Sequence, residues 1–262
     1  MKKINIQLKK NSWEKRLALM THLVVGYPSL KKTLTIAKQM AINGADFIEL
    51  QIPFSDPMAD GPTIMKACEK SLSNGTTVKD TFIIARKLSK EISTPLLLMA
   101  YFNTVFQYGV EKFCNDAKET GICGLIIPDI PIEEESEDHF IFLCKKYGLA
   151  NIRVLSPAST ESRLKKNAKI ANGFVYVSAR QGTTGVKESL DPGITNFLKK
   201  VRNYFSIPIA VGFGISSKEH LQILKPFCEI AVLGSAFIEI INRSKNSEVE
   251  TSIKSFMQSL KI

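Results

Sequence analysis

No apolar run in the chain approaches the roughly 20 residues that a membrane-crossing helix requires, although 44% of its 262 residues are hydrophobic. The first eleven residues, from Met1 to Asn11, carry lysines but no continuous apolar core. Neither a secretory leader nor a transit peptide is expected from such a pattern. Cysteine is sparse: Cys68, Cys114, Cys123, Cys144 and Cys228 form no C-x-x-C pair and have no histidine cluster beside them. They read as small buried or semi-buried thiols in a reducing compartment, and no metal site is expected. Histidine is rarer still. His139 and His220 fall in helix-like, polar segments and are expected at the surface, whereas His22 lies in an apolar strand-like run. Linkers and low-complexity tracts are missing, so residues 1–262 are expected to form a single domain.

The balance of charge is one-sided. Thirty-five basic against 25 acidic residues give a net charge of +10 and a pI near 9.3. Aromatic-plus-basic motifs, helix-turn-helix patterning and zinc spacings are all lacking, which argues against nucleic-acid binding. The lysines come as scattered pairs, such as Lys31-Lys32, Lys145-Lys146 and Lys199-Lys200, mostly in helix-like stretches where a solvated face explains them. A basic field still favours an anionic small-molecule substrate by steering.

What is present is a repeating alternation. Eight short apolar runs recur: Met20–Val25, Phe47–Leu50, Leu96–Tyr101, Gly124–Ile127, Ile152–Leu155, Phe174–Val177, Ile207–Val211 and Ile230–Leu233. Most are spaced by about 20 to 30 residues, as in a βα unit, with one longer gap after the second that leaves room for extra helix. Near-continuous apolar strands imply a parallel sheet buried on both faces. Between them lie amphipathic stretches. One follows Ser29, a candidate N-cap; others cover Val78–Glu91, Val110–Glu119, Glu133–Lys146, Thr160–Lys169, Ile194–Val201 and a tail from Ser235 to Leu260. The pattern predicts an α/β, single-domain (β/α)8 barrel with extra helical segments. A doubly wound sheet fits less well, because Gly26-Tyr27-Pro28-Ser29 follows the first strand where a Gly-x-Gly-x-x-Gly turn is usual.

In such a barrel the chemistry sits at the C-terminal ends of the strands. The second run carries a carboxylate, Glu49, with Phe47 and Gln51 on the same side and Ile48, Leu50 and Ile52 on the other. A charge there is costly unless paired, protonated or used. Eleven residues on, Asp60 arrives in a Pro/Gly-rich turn, and the two acids form a candidate acid/base pair. Taken singly, Glu49 could equally be an interior ion-pair partner and Asp60 an ordinary turn residue before Gly61. The last strand ends are glycine-rich: Gly182 to Gly185, then Gly212-Phe213-Gly214, then Gly234-Ser235. Unshielded backbone N–H groups at consecutive strand ends suit a phosphate.

The segment from Glu49 through Pro53-Phe54-Ser55-Asp56-Pro57-Met58-Ala59-Asp60-Gly61-Pro62-Thr63 closely resembles the signature of the tryptophan synthase alpha subunit family. Gly26-Tyr27-Pro28, Pro128-Asp129-Ile130-Pro131, Arg180–Gly185, Gly212–Ser216 and Gly234-Ser235-Ala236 extend the resemblance in order along nearly the whole chain. It implies a barrel lyase that splits indole-3-glycerol phosphate into indole and glyceraldehyde 3-phosphate. It further implies a pyridoxal-phosphate-dependent beta subunit as partner in an alpha2beta2 tetramer, no cofactor in this chain, and a cytoplasmic location (plastid stroma if the gene is an organelle's). Glu49 and Asp60 match the catalytic carboxylates, Tyr176 a tyrosine near the reacting groups and Thr184 a loop threonine that orders Asp60. Gly185, Gly212, Phe213, Gly214, Gly234 and Ser235 match the phosphate-binding loops, and Asp56, with Pro57 beside it, the contact to the partner. His22, Tyr101, Ile126 and Pro128 complete the expected substrate pocket, with Leu98 as a further neighbour of the indole ring.

Two positions depart from the family's pattern. Gln51 stands where glycine is usual, and His22 where an apolar or aromatic residue is common. Both put rate and affinity in question, not the fold. Three alternatives stay open: a free-standing lyase, another phosphate-binding barrel enzyme, and a subunit that mainly activates its partner. A Schiff-base aldolase would need a lysine on a strand near the barrel mouth, and the expected strands offer none.

Overall fold

The structure, a computed structural model, describes residues 2–178, 192–212 and 214–261. Eight parallel strands close into a barrel in chain order. They are β1 (Ala18–Val24), β2 (Phe47–Gln51), β3 (Leu96–Met99), β4 (Ile122–Ile126), β5 (Ala150–Leu155), β6 (Val175–Ser178), β7 (Ile209–Gly212) and β8 (Ile230–Leu233). The eight expected runs coincide with these strands to within a few residues at their ends. The barrel expected from the alternation is therefore the one observed.

Strand alternation sorts the side chains into two buried layers. Ala18, Met20, Phe47, Leu97, Met99, Ile126, Ile152, Phe174, Ala210 and Val232 fill the inside of the barrel. Leu23, Ile48, Leu50, Leu98, Leu125, Val177, Val211 and Leu233 face the surrounding helices. Glu49 pairs in register with Leu97 and Leu50 with Leu98. In-register neighbours point the same way, so Leu98 looks outward and is not a neighbour of the pocket. The sequence could not show this, because Leu96-Leu97-Leu98-Met99 has no alternation to read.

The helices begin where the sequence marks them. Ser29 Oγ accepts from Lys32 N at 3.3 Å at the head of α2 (Leu30–Ile42). Thr77 and Asp80 form a capping box on α4 (Val78–Glu91), and Thr160 caps α9 (Glu161–Ile170). The long gap after β2 holds α3 (Pro62–Ser73), with proline at its first turn. Two further helices, α5 (Phe102–Tyr108) and α6 (Val110–Glu119), lie between β3 and β4.

Two expected helices are broken. Glu133–Lys146 divides into a short turn, α7 (Glu135–Asp138) and α8 (Phe140–Lys146), because His139 adopts the left-handed conformation with φ 52°. The tail divides into α12 (Ser235–Arg243) and α13 (Val249–Ser259) across the polar stretch Ser244 to Glu248. Serine and asparagine there compete with helix through local hydrogen bonds.

The N-terminal segment, expected only as a charged leaderless stretch, is a helix, α1 (Lys2–Trp13). Ile4 is fully buried in the inner layer and Leu8 packs against it, so α1 closes the end of the barrel opposite the catalytic mouth. Asp46 ties this end together. It accepts from Gln7 Nε2 at 2.7 Å, from both Arg16 Nη atoms at 2.6 and 2.7 Å, and from Leu19 N at 2.9 Å. The forked arginine contact is the strong form of such a pair.

All five cysteines are free and buried, and burial pushes the Cys68 and Cys228 thiols up to about 12. His139 is exposed, as expected. His220, on α11 (Lys218–Leu224), is not: it is buried, and its Nδ1 accepts from Ser216 N at 3.4 Å. Among the described residues no helix is long and apolar enough to cross a membrane.

Candidate active site

The register of β1 and β2 places His22 beside Glu49 and Val24 beside Gln51. His22, Glu49 and Gln51 all point into the barrel near its mouth and all are buried, at 6%, 2% and 0% exposure. His22 Nδ1 lies 3.2 Å from Glu49 Oε2, at ion-pair distance but not aligned as a hydrogen bond, since Glu49 Oε2 lacks an aligned partner. Burial pulls the His22 imidazole down. Glu49, by charge and by hydrogen bonding, then Asp60 and Gln51, more than offset this, so its net displacement is upward.

The loop after β2 returns Asp60 to the same place. Gln51 Nε2 donates to Asp60 Oδ2 at 2.6 Å, and Tyr101 OH donates to the same oxygen at 3.0 Å. Tyr101 in turn accepts from Ala59 N at 2.9 Å. Its ring stacks on Phe54, with centroids 5.1 Å apart. A proline-rich loop is thereby pinned to the head of α5 by an aromatic stack and two hydrogen bonds. Burial pushes the Asp60 carboxyl up, and His22, Gln51 and Tyr101 counter this only in part.

Tyr176 enters from β6. Its phenol is raised well above its ordinary value by burial, with the Glu49 and Asp60 charges adding to the effect. Gly212, in register with Ser178 and next to this phenol, has to be glycine: a Cβ there would lie 2.3 Å from Tyr176 OH. Ile126 closes the inner wall at the end of β4, and half-buried Pro128 follows it.

The last strand ends carry the glycines. Gly214 adopts φ +57°, and Gly234 immediately precedes α12, which starts at Ser235. The first N–H groups of that helix have no partner within it and carry its positive dipole end. Gly234 also backs the His22 ring: a Cβ built on it would lie 3.5 Å from His22 Cβ. Thr184, Gly185 and Phe213 lie outside the described residues.

On the outer surface of the mouth, Asp56 is exposed while Pro57 is buried beneath it. Met58 and Phe106 are exposed at 87% and 55%. Gln51 was legible in the sequence as an amide on the Glu49 side of β2, close to the reacting centre, but its bond to Asp60 was not.

The arrangement therefore brings Glu49, Asp60, His22, Gln51, Tyr101 and Tyr176 together at the C-terminal mouth of a barrel, with glycine-rich turns at the ends of β7 and β8. Comparison with known proteins gives the family. The family model described as "Tryptophan synthase alpha chain" matches residues 8–261. The tryptophan synthase alpha chain of Desulfotalea psychrophila is 45% identical over 90% of this chain and 92% of its own length. That of Thermoanaerobacter sp. is 38% identical over 100% and 99%. A solved tryptophan synthase chain of Mycobacterium tuberculosis superposes with a TM-score of 0.90 at 27% identity, covering 98% of this chain and 96% of that one. A tryptophan synthase alpha-subunit mutant of Pyrococcus furiosus superposes with a TM-score of 0.86 at 31% identity, covering 93% and 97%. The chain belongs to the tryptophan synthase alpha chain family.

Proposed function

We propose that this chain is a carbon–carbon lyase that cleaves indole-3-glycerol phosphate by retro-aldol chemistry, with Glu49 and Asp60 as its acid/base pair. The observation that carries this reading is the placement of the two carboxylates. One stands on a strand and one on a loop, and both are held at the mouth by buried polar side chains, in a chain of this family. Indole C3 takes up a proton, because a bare aryl carbanion is a poor leaving group. The ring nitrogen then carries positive charge, which an ionised Asp60 stabilises. The glycerol hydroxyl next to the bond gives up its proton as the bond to C3 breaks and the aldehyde forms. Glu49 serves the proton movements. Indole and glyceraldehyde 3-phosphate together hold every atom of the substrate, so no co-reactant is consumed.

The substrate's phosphate is assigned to the turns at Gly212, Gly214, Gly234 and Ser235, with Thr184, Gly185 and Phe213 completing the site. Tyr101, Ile126, Pro128, Tyr176 and His22 line the remainder. The residues 1–262 act as a single barrel domain. Its partner is a tryptophan synthase beta subunit, which carries the pyridoxal phosphate and takes the indole, in an alpha2beta2 tetramer. Asp56 offers a charge to that partner, and the exposed Met58 and Phe106 offer apolar area on the same rim. The cytoplasm is the proposed location, or the plastid stroma for an organelle-encoded copy.

Turnover of indole-3-glycerol phosphate, followed with and without a beta subunit, tests the reading. Glu49→Gln is expected to lower kcat by roughly 10²–10⁴-fold. Equal turnover in the variant and the wild type would refute it.

A further inference from the structure

We propose that His22 and Gln51 are positioning residues, with His22 acting as an imidazolium that joins Glu49 to Asp60 through the Gln51 amide. The inference rests on the lyase reading above and deepens it.

Hydrogen-bond accounting leads to it. Among the buried side-chain atoms of the mouth, two acceptors, Glu49 Oε2 and Gln51 Oε1, lack an aligned partner, and so does one ring nitrogen, His22 Nε2. A neutral imidazole carries one N–H, and an imidazolium carries two. Only the charged ring has a donor for each of the two acceptors. Its Nδ1 already stands 3.2 Å from Glu49 Oε2. The amide's other end is committed, because Gln51 Nε2 donates to Asp60 Oδ2 at 2.6 Å. That bond fixes which way the amide faces and leaves Oε1 as the amide's acceptor without an aligned donor.

The surroundings are consistent with a cation here. The titratable groups about the ring are Glu49 on β2, Asp60 on the loop after it, Tyr101 at the head of α5 bonded to Asp60, and Tyr176 on β6. None is a base that carries positive charge. Just after β8, Gly234 backs the ring. A buried unpaired polar group costs free energy, and a second N–H on His22 gives the ring a donor to offer each of the two acceptors. It also gives two like charges one shared counter-charge, so that each carboxylate is held in one orientation before substrate arrives.

A histidine-ring-labelled sample of the full chain tests this, because the chain holds only three histidines. Of the three labelled rings, that of His22 is expected to titrate by NMR above the ordinary histidine range. It should fall back toward that range in Gln51→Leu and further in Glu49→Gln. In turnover of indole-3-glycerol phosphate, His22→Phe is expected to lower kcat by about tenfold, to change KM less, and to lose the alkaline limb that follows deprotonation of the wild-type ring. A His22 titration unmoved by Gln51→Leu and Glu49→Gln would overturn the proposal, as would an alkaline limb unchanged in His22→Phe. If Glu49→Gln keeps full turnover, the lyase assignment fails. If Glu49→Gln is inactive while both His22 readouts stay put, only the positioning role fails.

Discussion

Asp60 shows how one side chain can set function against stability. Its carboxyl is raised by burial, so the folded chain binds a proton there more tightly than the unfolded chain does. Stability from this group is then full below the unfolded carboxylate range and declines as pH rises through the folded value. The cost is present once pH exceeds the folded value. Asp60→Asn removes the charge yet keeps an oxygen to accept from Gln51 and Tyr101. The variant is expected to abolish indole release and to raise the thermal midpoint by roughly 1–3 °C near neutral pH, a gain that should vanish in acid. A scanning melt at two pH values checks it; a midpoint lower than wild type at neutral pH would contradict the account. Glu49 was legible in the sequence because a carboxylate inside an apolar run has few cheap explanations; Asp60, in a Pro/Gly-rich turn, stood out from an ordinary turn residue only through the family resemblance. His220 was misread because a polar helical segment looks exposed when its packing partner, the turn at Ser216, is not visible in local pattern. Leu98 was misplaced for want of register, which its pairing with Leu50 and Leu125 supplies.

The elements that frame the mouth were readable for a different reason. The cap at Ser29 is local chemistry that the sequence displays, and the structure uses it, as it uses Thr77 and Thr160 on later helices. Breaks inside helices were less legible, since the left-handed turn falls at His139 and not at a glycine. α1 was missed altogether. Its apolar spacing, Ile4 then Leu8, is one short stripe among lysines, and its meaning depends on a barrel floor that the sequence does not display. The structure gives that stripe a role. Ile4→Ala would leave a hole in the inner layer against its barrel-floor neighbours and is expected to cost about 2–4 kcal/mol. Urea unfolding followed by circular dichroism measures it. A loss below about 0.5 kcal/mol would show that α1 is an ornament of the floor and not its plug.

At the scale of the molecule, a net charge of +10 surrounds a site proposed to take a dianionic phosphate ester. Long-range attraction of that kind is screened by salt over about 10 Å at 0.1 M. The ratio kcat/KM is expected to fall about two- to fivefold between about 20 and about 300 mM sodium chloride, with kcat nearly constant. Salt-independent kcat/KM would assign the lysine pairs to solvation alone. The alternation of runs made the barrel legible from composition and spacing, because a closed parallel sheet needs eight such units and little else. The site was less so: its acids could be named, but the Gln51–Asp60 bond that joins them spans a strand and a loop.

The free thiols have a practical consequence. Cys68 on α3, Cys114 on α6, Cys123 on β4, Cys144 on α8 and Cys228 just before β8 are distributed around the cylinder, each shut away from solvent. A maleimide can reach any of them only when its own arc of wall swings open. Native labelling rates, resolved peptide by peptide, would therefore chart which side of the cylinder breathes first, with no probe added to the chain.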